Sequence, residues 1–400
     1  MAAPSAPAPL RKLLARLEGL PIIIVFLLLL ILFMGLAPEV FLSPNIYTTF
    51  LSSLPPLVLL AIGLTFVIGA GEIDLCFPSI IAFSGFLFAV TMKEGSDWFV
   101  GLLTYLHDSG LAFISVAPDA DFSAWFGWVG VILALLGGML IGYVNGILVA
   151  RVGIPSFIAT LATQFFWAGM ATVLSGGKSY ALRGASDAPV WQWLVGRPFA
   201  VFNGPFWTTQ LPLQALWTTI VVVFLWFIMN RHRFGEHVLF LGDSNDVSRV
   251  VGINVEKEKI RLFTLMGVLG ALAAIFLTLE NKNFFGNQGQ GYLLLAIAAV
   301  LIGGTSIFGG RATIVGTVFG CLVVTIVEPG LVATGSTGAW VLTIRGLIFL
   351  IAIVFYLYVD EPARRQAMFA RFRQRMEFGR LKPTVEELAV PPDGRDNKGD

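Results

Sequence analysis

The chain of 400 residues is too apolar and too weakly charged for a water-soluble globular domain. Hydrophobic residues make up 56% of it and charged residues 13%, whereas ordinary soluble domains carry about 25% charged residues. A net charge of +1 excludes a nucleic-acid-binding protein that relies on bulk positive charge. Two cysteines and three scattered histidines exclude a disulfide scaffold and a histidine-based zinc site. The composition therefore indicates an integral membrane protein.

The chain contains ten apolar runs that are candidates for membrane-spanning helices. A helix needs about 20 residues to cross a hydrocarbon core of about 30 Å, because it rises about 1.5 Å per residue. The first run exceeds the roughly 7–15 residues of a signal-peptide core, and more runs follow, so it is predicted to be an uncleaved span. The sequence thus predicts an all-α integral membrane protein with spans at about 19–38, 51–70, 76–92, 127–150, 155–175, 213–230, 260–280, 292–308, 312–332 and 340–358.

Basic residues predict which side of the membrane each loop faces. With ten spans the main basic positions fall on one side: before the first span, at Arg151, within 231–261, at Arg311 and along the tail from Arg364. Because Lys and Arg are enriched in cytoplasmic loops, both termini are predicted to be cytoplasmic. The segments 93–126 and 176–212 then lie on the periplasmic side.

Three regions are predicted along the chain. Residues 1–18 form a disordered cytoplasmic N-terminus, and residues 19–360 form the transmembrane domain. Residues 361–400 begin with a basic stretch that is expected to lie against anionic lipid headgroups. Their remainder is charged and has few large apolar residues, so it is predicted to be disordered.

The longest cytoplasmic loop, 231–261, is predicted to contain a short helix. Asp243, Ser244 and Asn245 can each cap a helix N-terminus, and Gly252 is placed to end the helix after one or two turns. Apolar side chains in such a helix favour docking to a cytoplasmic partner, whereas the alternative is a merely solvated loop. The candidate docking residues are Asn245, Asp246, Val247, Arg249, Val250, Gly252 and Ile253.

A Gly-rich stretch at 69–75 carries two acids, Glu72 and Asp74, between two apolar runs. Carboxylates near hydrocarbon are costly and usually face protein or water, and Gly-rich breaks at that depth typically mark a discontinuous helix around a site or hinge. An ordinary cytoplasmic turn, with the acids solvated or capping the next helix, is an equally good interpretation. Both remain open.

A second Gly-rich stretch, 302–313, joins two late spans and contains Thr305 and Ser306. Its hydroxyls can satisfy backbone groups that a break sets free, and this structural role competes with ligand contact. The two stretches occupy comparable places in the two halves of the chain. This placement suggests an inverted repeat that relates spans two to five to spans seven to ten.

No nucleotide-binding motif is complete in this chain. Gly177-Lys178-Ser179 resembles the end of a P-loop, but Thr172 stands where the motif requires glycine. An ATP-driven role therefore requires a separate subunit that binds ATP and Mg²⁺. An intramembrane enzyme is disfavoured because no nucleophile–base pair or metal cluster is recognisable. No catalytic residue, cofactor or metal is predicted in the chain itself.

Four segments in order, 62–85, 145–177, 243–254 and 291–317, resemble the permease subunit of the ribose/xylose/galactose class of bacterial ABC importers. The resemblance implies a ten-helix inner-membrane permease that dimerises around a central translocation path. It also implies two cytoplasmic ATPase domains and a periplasmic sugar-binding protein as partners. Residues 245–253 would then be the coupling helix that seats in the ATPase.

One departure from the family pattern affects the expected substrate. The family's Gly-Gly-Ile-Asp-Leu-Ser-x-Gly stands here as 71–78, with Glu72 at the second position and Pro78 at the last. A monosaccharide is expected, while a polyol, nucleoside or signalling sugar remains an alternative. The polar residues near the breaks are the hypothesised lining of the path: Glu72, Asp74, Ser79, Ser84, Thr160, Thr163, Gln164, Thr305 and Ser306.

A secondary transporter is the main alternative from a different class. Its coupling to H⁺ or Na⁺ would run through Glu72 and Asp74, and it would need no partner subunit.

Overall fold

The computed structural model describes residues 19–109, 117, 121–204 and 207–335, together with a few separate positions between 338 and 350. The predicted terminal regions, 1–18 and 361–400, lie outside the described residues, as does most of the predicted tenth span. Within the described part the chain is mostly helical and has few strands, which confirms the all-α membrane fold.

Thirteen α-helices are formed by the described residues. They are α1 Leu20–Leu36, α2 Pro38–Phe41, α3 Pro44–Gly69, α4 Phe77–Asp108, α5 Ser123–Ala150, α6 Ser156–Ser175, α7 Pro189–Leu194, α8 Leu213–Arg231, α9 Arg233–Asp243, α10 Asn245–Val250, α11 Val255–Asn281, α12 Tyr292–Ile302 and α13 Ile314–Ala333. Four short strands form two antiparallel pairs, β1 with β4 and β2 with β3: β1 Tyr180–Ala181, β2 Phe199–Gly204, β3 Trp207–Leu211 and β4 Asn283–Phe284.

Seven of the described helices are long and apolar enough to cross a membrane: α3, α4, α5, α6, α8, α11 and α13. The apolar helices α1 and α12 are shorter. Together these nine correspond one to one with the first nine predicted spans. The chain is therefore a multi-pass membrane protein.

Several helices extend beyond the spans predicted for them; α3, for example, begins at Pro44 rather than 51. Helix α4 continues to Asp108, whereas the prediction ended the span at residue 92 and placed a loop after it. Charged residues such as Lys93 and Glu94 leave hydrocarbon but remain good helix formers, so the helix does not stop there. Helix α11 begins at Val255 rather than 260, because the Asn254 side chain caps it by accepting from the Lys257 N–H at 3.0 Å.

Helix α11 lies at the centre of the bundle, packed against α3, α4 and α5. Its crossing with α5 is close because small residues face each other there. A Cβ on Gly142 would lie 2.2 Å from the Phe263 carbonyl oxygen, and one on Gly138 would lie 2.4 Å from the Gly267 carbonyl oxygen. Small residues let membrane helices approach until their backbones touch, and here they fix the central pair.

Helix α6 lies at the edge of the bundle. It contacts α4, but most of its apolar surface is uncovered, including the side chains of Phe165, Phe166 and Val173. The helix therefore presents one face to the bundle and leaves the other for lipid or another protein.

Candidate functional site

The chain leaves helical structure between α3 and α4, at residues 70–76, which we call the first break. Asp74 is fully buried and Glu72 is nearly so. An ordinary solvated turn would expose both acids. Burial excludes the solvated form of the turn, whereas an acid that caps the next helix is compatible with it.

Polar side chains on one face of α6 hold the first break in place. They are spaced four residues apart, which puts them on the same side of a helix, and we call them the α6 ladder: Ser156, Thr160 and Gln164. They accept hydrogen bonds from the backbone N–H groups of Ile73, Leu75 and Ser79, at 3.1, 3.1 and 3.0 Å respectively. The α6 ladder thus supplies acceptors that the interrupted helix lacks.

Asp74 turns the chain into α4. Its Oδ1 accepts a hydrogen bond from the Cys76 N–H at 2.6 Å, close to the positive end of the α4 dipole, where an anion is stabilised. Its Oδ2 is buried and has no hydrogen-bond partner among the described residues. The Asp74 Oδ2 can therefore accept a further hydrogen bond at the first break.

Glu72 is paired with a cation from the central helix. Its Oε1 lies 2.5 Å from the Nζ of Lys259 on α11, and the two side chains are only 11% and 14% exposed. A pair so far removed from water attracts more strongly than a surface pair. The sequence prediction did not include Lys259, because nothing in its spacing relates it to residue 72.

The hydroxyls of the second break, residues 303–313 between α12 and α13, bond to the loop's own backbone. Thr305 Oγ1 accepts from the Thr313 N–H at 3.4 Å, and Ser306 Oγ accepts from the Phe308 N–H at 3.3 Å. Both residues are buried. Their bonds support the structural role rather than the ligand-contacting role that the sequence left open.

The structure brings together some of the hypothesised lining residues and separates others. Ser79, Thr160 and Gln164 meet at the first break, next to Asp74. Ser84 is buried farther along α4 and its Oγ has no hydrogen-bond partner in the described part of the chain. Thr163 donates to carbonyl groups of its own helix, those of Ala159 and Thr160, and its hydroxyl also bonds to the Cys76 thiol at the first break. Thr305 and Ser306 lie outside this group of bonds.

Two contributions to the site, in addition to Lys259, were not predicted from the sequence. Ser156 belongs to the α6 ladder. It could have been predicted, because its spacing of four residues from Thr160 places both side chains on one face of the helix. Thr65 on α3 and Thr317 on α13 are fully buried, and their hydroxyl oxygens lie 2.7 Å apart. This pair joins the helices that precede the first break and follow the second.

The predicted short helix in the long loop is present as α10. The Ser244 Oγ accepts from the Val247 N–H at 3.3 Å, and Gly252 ends the turn with a φ of +87°, a conformation that favours glycine. Val250 is 87% exposed, and Val247 and Val251 are also exposed. The helix therefore presents apolar side chains to its surroundings.

The other candidate docking residues divide between surface and interior. Asp246 and Arg249 are exposed and lie 3.8 Å apart as an ion pair. Ile253 is buried, so it anchors the segment instead of contacting a partner. Helix α9, which precedes α10, was not predicted; its buried Val238 and Leu241, three residues apart, were the helical signal. We call residues 233–253 the coupling segment.

The family model described as the branched-chain amino acid transport system permease component matches residues 46–353. The chain belongs to this permease family. Membership confirms the resemblance found in the sequence. As a member of this family, the permease is a multi-pass protein of the inner membrane. ABC importers of this kind work with an ATPase and a periplasmic binding protein.

Curated relatives match the permease over most of its length. The ribose import permease protein RbsC of Escherichia coli (strain K12) is 28% identical over 333 residues, which are 83% of this chain and 91% of that protein. RbsC of Bacillus subtilis (strain 168) is 29% identical, over 82% and 89%. The autoinducer 2 import system permease protein LsrC of Yersinia pseudotuberculosis serotype O:3 (strain YPIII) is 30% identical, over 90% and 92%. No solved structure matches the chain significantly.

Proposed function

We propose that this permease forms the translocation path of an ATP-driven importer for a monosaccharide or a related polyhydroxy solute. A separate ATPase, which binds ATP and Mg²⁺, drives transport from the cytoplasmic side, where both termini of the permease lie. A periplasmic binding protein delivers the solute. The permease itself performs no covalent chemistry.

The exposed face of α10 is the observation that carries this proposal. Val247, Val250 and Val251 are exposed together on a short capped helix outside the apolar spans, and an exposed apolar patch is typical of a protein-binding surface. The inward side of the same segment is fixed by the buried Ser248 and Ile253. A rigid helix with one free apolar face suits a groove in the ATPase, because it can transmit a movement that a flexible loop would absorb.

The relatives' names support the class of substrate. They import ribose or autoinducer 2, and the latter keeps a signalling sugar within the proposal. Hydroxyl-rich solutes need hydrogen-bond partners along a path, yet they must bind weakly enough to leave. The Asp74 Oδ2 and the polar residues beside it at the first break provide such partners.

Two copies of the permease are proposed to enclose the path. The apolar face of α6 is uncovered on the side away from the bundle, while its polar residues hold the first break. A second copy packed on this edge would place two first breaks on either side of one path. Membrane lipid covers the remaining apolar surface.

The ion-coupled alternative has less support. It needs carboxylates that are free to exchange a cation, whereas Glu72 is already paired with Lys259. Asp74 alone keeps an unpartnered oxygen at the first break.

Purification of the tagged permease from its native membrane in a mild detergent tests the proposal. Mass spectrometry is expected to find a P-loop ATPase and a periplasmic binding protein, with two permease copies per particle. Purification of the permease alone, from membranes in which it transports, would contradict the proposal and redirect attention to Asp74 as an ion-coupling residue.

A further inference from the structure

The last turn of α9 lies against both breaks of the bundle at Gly242. A Cβ added to Gly242 would lie 2.0 Å from the Gly69 carbonyl oxygen and 2.2 Å from the Gly310 nitrogen. Both neighbours are backbone atoms, which cannot rotate away as a flexible side chain can. Only glycine allows this approach, although α9 itself would accept any good helix former at this position.

The second break is also bonded to the last residue of α3, directly before the first break. The Gly310 N–H donates to the Gly69 carbonyl at 3.0 Å. A Cβ on Gly309 would lie 2.6 Å from the Gly242 Cα and 2.8 Å from the Gly71 nitrogen. Three distant parts of the chain therefore meet backbone to backbone. We call this contact the glycine junction: Gly69, Gly71, Gly242, Gly309 and Gly310.

Helix α9 contacts α3 and α11 in the turns that precede the junction. The ring of Phe234 stacks on Phe66 of α3, with centroids 5.9 Å apart and an angle of 18° between the planes. The His237 Nδ1 lies 3.2 Å from Glu258 Oε1 on α11, within hydrogen-bonding distance. Ser244, which caps α10, is two residues from Gly242. A displacement of α10 is therefore passed to the junction with little chain in between to absorb it.

We infer that Gly242 is a positioning residue through which the coupling segment moves both breaks together. This inference rests on the proposed function, since it takes α10 as the ATPase contact and the first break as part of the path. The first break carries Asp74 and is held by the α6 ladder. The second break is bonded to Gly69, the residue of α3 that directly precedes the first break. The contact at Gly242 thus links the ATPase side to both interruptions at one point.

Replacing Gly242 with alanine separates this role from assembly. The Cβ would force the three backbones apart, while the exposed face of α10, which binds the ATPase, is unchanged. The matched control is Gly101→Ala, a helical glycine in α4 with nothing within 4 Å of an added Cβ. We expect Gly242→Ala to co-purify with the ATPase and to hydrolyse ATP, but to import about 2- to 30-fold less solute per ATP than Gly101→Ala.

Two outcomes of this experiment have different meanings. Failure of the unaltered permease to retain an ATPase would refute the proposed function. Normal retention, with equal import per ATP in Gly242→Ala and Gly101→Ala, would refute only the role of Gly242.

A second measurement uses the unaltered permease and does not depend on a variant that folds. Hydrogen exchange is followed in the complex with the co-purified ATPase, before and after addition of a non-hydrolysable ATP analogue. The junction predicts that exchange changes in both 70–76 and 303–313. A change confined to one break, or to α10 alone, would overturn the inference.

Discussion

Thr160 offers the sharpest test of how the first break is held. Its Oγ1 accepts from the Leu75 N–H at 3.1 Å and donates to the Ser156 carbonyl at 2.7 Å within α6. Valine has nearly the same shape but cannot accept, so Thr160→Val leaves the Leu75 N–H without its acceptor. Hydrogen bonds between membrane helices average about 0.6 kcal/mol. A buried N–H left unpaired costs more, about 1–3 kcal/mol.

That cost appears as easier local opening of the first break. Because exchange of a protected amide follows the free energy of local opening, a loss of about 1–3 kcal/mol raises the exchange rate of the Leu75 amide about 5- to 150-fold. The assay is hydrogen exchange with mass spectrometry on peptides that cover residues 70–79. Import by the same variant in membrane vesicles is expected to fall, since the first break lies on the proposed path.

The control for this prediction is Thr172→Val on the same helix. The Thr172 hydroxyl donates to the Ala168 carbonyl of its own helix at 2.9 Å, so the control removes the same kind of intrahelical bond. It is expected to leave exchange at 70–79 unchanged. Unchanged exchange of the Leu75 amide in Thr160→Val would refute the role given to the α6 ladder.

Three further predictions concern other contacts. Lys259→Met leaves the nearly buried Glu72 without its cation and is expected to destabilise the permease by up to about 3–5 kcal/mol, seen as a lower Tm in detergent. Val250→Asp places a charge on the exposed face of α10, and the ATPase is expected to be lost during purification while membrane insertion stays normal. Gly142→Ala overpacks the crossing at the Phe263 carbonyl and is expected to cost about 1–3 kcal/mol, measured by thermal unfolding.

Each of these changes has a control that isolates its cause. The double change Glu72→Gln with Lys259→Met removes both charges and is expected to restore much of the lost stability; no recovery would contradict the ion-pair explanation. Val152→Asp alters another exposed valine outside α10, and equal loss of the ATPase in both variants would remove the special role of α10. Gly101→Ala is expected to unfold at the same temperature as the unaltered permease. If Gly142→Ala also unfolds at that temperature, the close packing at Gly142 is contradicted.

The membrane fold could be predicted from the sequence because it depends on local properties. A run of about 20 apolar residues is long enough to cross the bilayer in any context, and the first nine predicted spans each correspond to a helix. The boundaries at Asp108 and Val255 were missed for a local reason too. Charged residues mark where hydrocarbon ends, but a helix can continue beyond it, and a cap such as Asn254 determines where it starts.

Individual residues of the site could be predicted from the sequence, but the contacts between them could not. The sequence identified Asp74, Thr160 and Gln164 as polar residues near a break, yet it contained no signal that the α6 side chains accept from the backbone of residues 73–79. Gly242 is the clearest case. Gly242 lies inside a helix and outside both Gly-rich stretches. It matters because the tertiary fold brings it into contact with Gly69, about 170 positions before it, and with Gly310, about 70 positions after it.

Import into sealed membrane vesicles tests the central claim most directly. Right-side-out vesicles that contain the permease and its co-purified partners are loaded with ATP. The ion gradient is then collapsed with an ionophore. Uptake is measured for a panel of labelled monosaccharides, which are added together with the binding protein. The account predicts uptake of one or more of these sugars that depends on internal ATP and continues without the gradient. Uptake that stops with the gradient and continues without ATP would contradict it.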